Sequence, residues 1–446
     1  MMAEDRRAFS IALLIILASG LALLPSWLHY DIIANDGAFQ YIPVAELFLQ
    51  GRFHDAFLTP QLPLFPLAIA GMSALTGMDP ELSGRMVAAI AFIIAALGLY
   101  RIGMLTTRRR WVALLAVLFL ITNRDLVDNS VDCLKESLLL AFILWGNFFI
   151  LRWIEERRPW QLLAAMLLLL SGALLRSTAL FFIGAWVIPW AFYQRRGMAL
   201  RVGLIASPVA AVLLLWFIDP TLPIFIRSYN LGLIFKPEHT PLFLLTAAGK
   251  TINEFLATGN PVVILFAFAG LYRMRATLYA RHAMAVLLIY LLIMMMWGHV
   301  FSGRYLLAPI AWVYPLAAYS VHEAWRSRRM IWKTCAAMAV ISCVALWTYQ
   351  ARIPPDPDKL ARRQAGQWIL AQIGPGKEIM SNRMRLVFYA KGTSSHLADI
   401  DAHRPHPCIA VDVDTEEGKR FKAHYDQAGL RYDAVFRTIQ VYLPKS

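Results

Sequence analysis

The sequence predicts a mainly α-helical polytopic membrane protein of about eleven spans with a small α/β domain at its C-terminal end, on three observations. Hydrophobic residues make up 59% of the 446 residues and charged residues only 16%, more apolar surface than one soluble core can hide. Apolar runs of span length recur along the chain, and in lipid such runs satisfy their backbone as helices. From Pro354-Pro355 onward the pattern changes to polar helical stretches alternating with short β-rich runs. The net charge of +14 comes from arginines in short clusters between the apolar runs, which read as orientation signals and not as a nucleic-acid-binding face. Four cysteines without paired spacing give neither a disulfide framework nor a zinc site.

The first run, Phe9 to Trp27, follows Arg6-Arg7 and reads as a retained anchor, because further spans follow it at once. The apolar stretch 62–77 decides the parity of everything after it. If it crossed the membrane, the clusters Arg108-Arg109-Arg110, Arg157-Arg158, Arg195-Arg196 with Arg201, Arg273 with Arg275 and Arg281, and Arg326 with Arg328, Arg329 and Lys333 would all lie outside. Read as a juxtamembrane helix, it puts every cluster on the cytoplasmic side, and its length falls short of the ~20 residues a span needs. The spans are then 9–28, 86–105, 111–123, 136–153, 160–175, 178–194, 201–218, 261–273, 282–298, 305–322 and 333–350. The N-terminus is cytoplasmic in this reading, and residues 1–350 form a membrane domain whose outer loop 29–85 carries its chemistry. Residues 351–446 form an extracytoplasmic domain with helices at 358–373 and 416–428 and β-rich runs at 378–380, 386–389, 408–413, 432–436 and 438–443. His403-Arg404-Pro405-His406 reads as a solvated turn rather than a metal site.

Almost no charge lies in the middle of a span and no internal repeat is visible, which argues against an ion-coupled transporter. The polar chemistry gathers instead in the outward segments. Asp31 and Asp36 stand just beyond the first span, where a carboxylate can serve as a base, cap a helix or simply be solvated. Arg304 and Arg176 stand at span ends, where a guanidinium can reach a lipid phosphate or snorkel to the interface. Arg227 and Lys236 flank Tyr229 and Asn230 in an apolar context within the long outer loop 219–260, either covering a bound lipid or lying on a surface helix. The acids Asp125, Asp128, Asp132 and Glu136 read as a solvated loop and helix start that leave room for a divalent cation.

Several of these residues carry a resemblance. Asp36, Gly51, the amphipathic stretch Tyr41 with Ala45-Glu46-Leu47-Phe48, Pro63-Leu64-Phe65-Pro66 and Gly77 before Arg85 resemble the first outer loop of membrane glycosyltransferases of the GT-C fold. The similarity is to the group that includes protein O-mannosyltransferases and the lipid A aminoarabinose transferase. Ser302-Gly303-Arg304-Tyr305-Leu306-Leu307-Ala308-Pro309 resembles a late Arg-Tyr helix of that group, and Lys135-Glu136 resembles the acidic start of an earlier one. The resemblance implies a multi-pass enzyme of the bacterial inner membrane, and the absence of a paired-acid site in this chain predicts no obligatory cofactor, with room for a divalent cation. It would move a sugar from a polyprenyl-phosphate-linked donor to a lipid, glycan or protein acceptor on the periplasmic face, with inversion. Asp36 would be the base, with Asp31 behind it. Arg304, Arg176, Arg227 and Lys236 would meet the donor phosphate, while Tyr41, Gln61, Glu136, His299 and Tyr305 would line the cavity. The chain departs from the two named relatives at Gly37, where many place a second carboxylate, and at Gln61-Leu62-Pro63, so neither substrate is carried over. A ligase or polymerase using a polyprenyl-diphosphate glycan, and a lipid or oligosaccharide transporter, are the alternatives.

Overall fold

The computed structural model describes residues 2–59, 62–176, 178–193, 241–297, 303–395, 408–416, 418–420, 422 and 433–443. Its contacts divide the chain into two compact units, one of Met1–Trp27 and Tyr41–Arg352, the other of Leu28–Gln40 and Ile353–Ser446.

The first unit is all helical. Its elements are α1 (Met2–Leu28), α2 (Ile42–Leu49), α3 (Phe53–Leu58), α4 (Leu64–Thr76), α5 (Pro80–Thr107), α6 (Arg110–Ile121), α7 (Arg124–Val131), α8 (Glu136–Glu156), α9 (Pro159–Ala173) and α10 (Ala179–Tyr193). After the undescribed stretch come α11 (Pro241–Gly259), α12 (Pro261–Arg273), α13 (Leu278–Trp297), α14 (Leu307–Trp325) and α15 (Met330–Gln350). Among the described residues, α1, α5, α8 and α15 are long and apolar enough to cross a membrane. The predicted spans at 111–123, 160–175 and 178–194 coincide with the shorter helices α6, α9 and α10, and 201–218 lies outside the described residues.

Helix α14 runs through the interior. It is buried on every face from Leu307 to Ala318, as a helix apolar all round must be, and packs against α5, α6, α8, α12, α13 and α15. The rim helices turn apolar side chains outward, among them Leu17 and Leu21 of α1 and Met338 and Ile341 of α15, as lipid-facing surfaces do.

Two readings change here, those of 241–259 and 261–273. Residues 241–259, read as loop, form an apolar helix that turns by 103° into α12, so the predicted span 261–273 is one arm of a bent pair. The cause is local. Asn260 adopts a left-handed conformation (φ 62°), its side chain accepts from the Val262 N–H, and Pro261 can start a helix but not continue one. Stretch 62–77 contains α4, 13 residues or roughly 20 Å long, shorter than a ~30 Å hydrocarbon core, and it stops at Gly77 in the left-handed region.

The second unit is a five-stranded mixed sheet, β1 (Glu378–Ser381), β2 (Thr393–Ser395), β3 (Cys408–Asp412), β4 (Ala434–Phe436) and β5 (Ile439–Tyr442), in the order β2-β1-β3-β5-β4. β1 runs parallel to β2 and β3, while β5 runs antiparallel to β3 and β4. Helices α16 (Pro357–Ile373) and α17 (Met384–Tyr389) complete it. The run 386–389, read as β-rich, is therefore helical. Leu386, Val387 and Tyr389 pack on α16 at Gly366, where a Cβ would stand 2.5 Å from the Leu386 carbonyl oxygen, and that close seat overrides the β propensity of Val, Phe and Tyr. The predicted helix 416–428 and the His403–His406 turn lie mostly or wholly outside the described residues.

Candidate active site

In the first unit, chain topology brings three loop-to-helix junctions to one end of the bundle. Glu136 opens α8, Arg176 follows α9, and Gly303-Arg304-Tyr305-Leu306 forms a 3₁₀ turn into α14. Glu136 is the centre of this group. Its side chain is only 4% exposed, with Oε1 3.1 Å from Arg176 Nη2 and 4.0 Å from Arg304 Nε. The Arg176 guanidinium lies 4.3 Å from the Tyr305 ring centre and that of Arg304 5.7 Å, so the aromatic face sits beneath both cations. Four residues singled out from the sequence, Arg176, Arg304, Glu136 and Tyr305, thus share one cluster.

The cluster is fixed from behind. A Cβ on Gly303 would come within 2.5 Å of Thr258 Oγ1, so only glycine lets the Arg304 turn seat against the end of α11. The Asn123 side chain caps α7 through the Leu126 N–H and donates to the Thr258 carbonyl oxygen at 2.6 Å and the Tyr314 hydroxyl at 2.9 Å, joining α7, α11 and α14. Beside this junction lies a cavity of about 410 Å³ lined by Asn123, Asp125, Glu254, Thr258 and Tyr314. Burial pushes the Asp125 carboxyl above its usual range, an effect that the Thr258 hydroxyl and Arg124 only partly offset. Asn123, Glu254 and Thr258 carried no recognisable signal in the sequence, because their roles come from helix ends brought together by packing.

The other predicted residues have their own surroundings. Tyr41 is buried edge-on against Phe65 at 5.2 Å, and the Lys135 ammonium lies 5.6 Å over its ring. Asp36 belongs to the second unit, in a helical turn that runs into a π-helix, Gly37–Tyr41, a rare geometry frequent at functional sites. Asp31, in the same unit, accepts from the Ile32 N–H at 2.8 Å and the Asp356 N–H at 3.3 Å and pairs with Lys359 at 3.4 Å, so it ties segment 28–40 to the start of α16. Gln61, Arg227, Lys236 and His299 lie outside the described residues. Among the described residues no three His, Cys, Asp or Glu side chains gather as a metal-binding group. Asp128 instead accepts from Ser26 and pairs with Arg124, while Asp132 accepts from the Cys133 N–H.

The helical first unit and the small sheet of the second have the fold of GT-C multi-pass membrane proteins, as comparison with known proteins shows. The family described as dolichyl-phosphate-mannose-protein mannosyltransferase matches residues 59–222. ArnT from Cupriavidus metallidurans bound to undecaprenyl phosphate superposes with a TM-score of 0.64 at 12% identity, covering 96% of this chain and 97% of that one. The oligosaccharyltransferase AglB from Archaeoglobus fulgidus, in complex with an inhibitory peptide and a dolichol-phosphate, superposes with a TM-score of 0.60 at 12% identity, covering 93% of this chain and 70% of that one. No curated protein sequence matches.

Proposed function

We propose that the chain is a polyprenyl-phosphate-dependent glycosyltransferase that moves a sugar to a lipid, glycan or protein acceptor outside the cytoplasm. The observation that carries this reading is the convergence of Arg176 and Arg304 over Tyr305 at one end of an otherwise apolar bundle. A planar guanidinium matches phosphate oxygens two at a time, and two of them at a span end suit a phosphate whose lipid tail stays in the bilayer. The structural neighbours support the same class of ligand, one being bound to undecaprenyl phosphate and another to a dolichol-phosphate.

In the proposed reaction the acceptor hydroxyl oxygen attacks the anomeric carbon. The bond from that carbon to the phosphate oxygen breaks, and its electron pair leaves with the polyprenyl phosphate. Asp36 takes the hydroxyl proton, and Arg176 and Arg304 meet the charge that grows on the leaving phosphate. Attack from the face opposite the phosphate inverts the anomeric centre, and the product linkage tests this. The cavity beside Gly303 suits a polyhydroxylated group, since the carboxylates of Asp125 and Glu254 line it. In this proposal the protein sits in a bacterial inner membrane with its N-terminus cytoplasmic and its second unit periplasmic. It works without an obligatory metal, which turnover after chelation checks.

The test is sugar release from a panel of polyprenyl-phosphate monosaccharides by purified protein in detergent, run beside Asp36→Asn. One donor turned over by the wild type and not by an equally folded variant is the expected result. Binding of these lipids without cleavage, whatever acceptor is supplied, would sink the monophosphate reading. Turnover of polyprenyl-diphosphate glycans alone would make the protein a ligase or polymerase.

A further inference from the structure

We infer that Glu136 is a built-in counter-anion that competes with the lipid phosphate for Arg176 and Arg304 and thereby sets how readily the phosphate product leaves. The inference rests on the phosphate-site reading of the two arginines and adds a positioning residue to it. Both Glu136 carboxylate oxygens are buried and make no hydrogen bond among the described residues, although one lies 3.1 Å from Arg176 Nη2 and 4.0 Å from Arg304 Nε. A carboxylate removed from water without hydrogen bonds is costly, and a purely structural ion pair would be expected to close its geometry around it. Here the carboxylate is held by charge and by its place in the first turn of α8, where the helix dipole favours an anion.

The arrangement has a direct consequence for an incoming phosphate. Two guanidinium groups alone would present two positive charges. Glu136 between them offsets one of those charges, and the carboxylate repels any phosphate that reaches the same cations. The internal anion holds both side chains in place when no lipid is bound, and it weakens the hold on the lipid phosphate once the sugar has gone. Product release limits many enzymes of otherwise fast chemistry, so an anion placed there favours turnover over retention.

The experiment measures binding of undecaprenyl phosphate to the full-length protein in detergent micelles, together with steady-state kinetics. Glu136→Gln should bind this lipid roughly tenfold more tightly or better, with kcat and KM for the lipid-linked donor falling together. A merely structural role moves affinity the other way, so equal or weaker binding by an equally folded Glu136→Gln overturns the inference. Glu136→Asp, which keeps the charge but draws it back by one methylene, should tighten binding by less. Should the glutamine variant not fold, unchanged or weaker binding by Glu136→Asp overturns it equally. Arg176→Ala and Arg304→Ala in the same assay separate the two levels of the argument. If both bind like the wild type, the phosphate site itself is wrong; if both lose binding while the Glu136 variants gain none, only the counter-anion role fails.

Discussion

Each unit buries one carboxylate between two arginines, and the two clusters differ in how well that carboxylate is satisfied. In the second unit Asp412, at the end of β3, is 3% exposed, 2.7 Å from Arg383 Nε and 3.5 Å from Arg362 Nη2. It also accepts from the Asp414 N–H at 3.3 Å, and the Asn382 amide brackets its backbone from both sides. In the first unit Glu136 is 4% exposed between Arg176 and Arg304 and has no hydrogen bond among the described residues. The same three charges therefore serve two purposes. Around Asp412 every polar atom of the carboxylate is spent on closing a strand end, which is what a structural ion pair needs to repay its desolvation. Around Glu136 no described group donates to the carboxylate, and that difference is the physical argument for placing a ligand there and not in the sheet.

Mutations can break the comparison. The largest effect is expected from Arg304→Ala, which should lower turnover of a lipid-linked donor by roughly a hundredfold, the scale of losing one preorganised charge at a leaving group, with thermal unfolding close to wild type. Asp412→Ala should do the reverse. Leaving Arg362 and Arg383 without their anion should cost ~3 kcal/mol of stability, read by denaturant unfolding, while the rate per folded molecule is kept. If Arg304→Ala unfolded the protein and Asp412→Ala abolished turnover without unfolding it, the two assignments would have to be exchanged.

Acid sharpens the contrast further. Burial works against the charge on Asp412, but hydrogen bonds from the Thr438 hydroxyl and from Arg383 outweigh it and hold the carboxyl below its usual range. A depressed folded-state value means that the ionised form stabilises the fold. That contribution is complete above the ordinary carboxylate value near ~4 and is lost as pH falls through the lower folded value. Unfolding of the second unit should therefore steepen below about pH 4, and Asp412→Asn should flatten that dependence. The smallest effect belongs to Tyr305→Leu. Losing the ring beneath two guanidinium groups removes ~1 kcal/mol of cation–π attraction, seen as a several-fold rise in KM for the donor with little change in kcat.

Much of the candidate site could be read along the chain, and the reason is chemical. Arginines at the ends of apolar runs stand out because lipid tolerates so few charges, and Glu136 and Tyr305 stood beside such ends. Asn123, Glu254 and Thr258 did not stand out, since a polar residue near a helix end is ordinary until another helix packs on it. Val387-Phe388-Tyr389 illustrates the same limit for the fold. Its composition favours a strand, yet contact with α16 at Gly366 makes it helical. The bend at Asn260-Pro261 lay between those cases, since the predicted span began at Pro261 but nothing showed that an apolar helix preceded it.

By itself the sequence determined the solvent of each segment: the apolar runs, the basic clusters between them and the polar turn at Pro354-Pro355 follow from composition, because transfer free energies act residue by residue. Only the tertiary structure decided which charges meet. Glu136, Arg176 and Arg304 are separated by 40 and 128 positions along the chain and share a site because α8, α9 and α14 pack with those ends together. Asp412 acquires its structural role in the same way, from strand order and the seat of α16 and α17. Whether a buried carboxylate is satisfied depends on distances of a few ångströms between segments remote in sequence, and no local pattern encodes them.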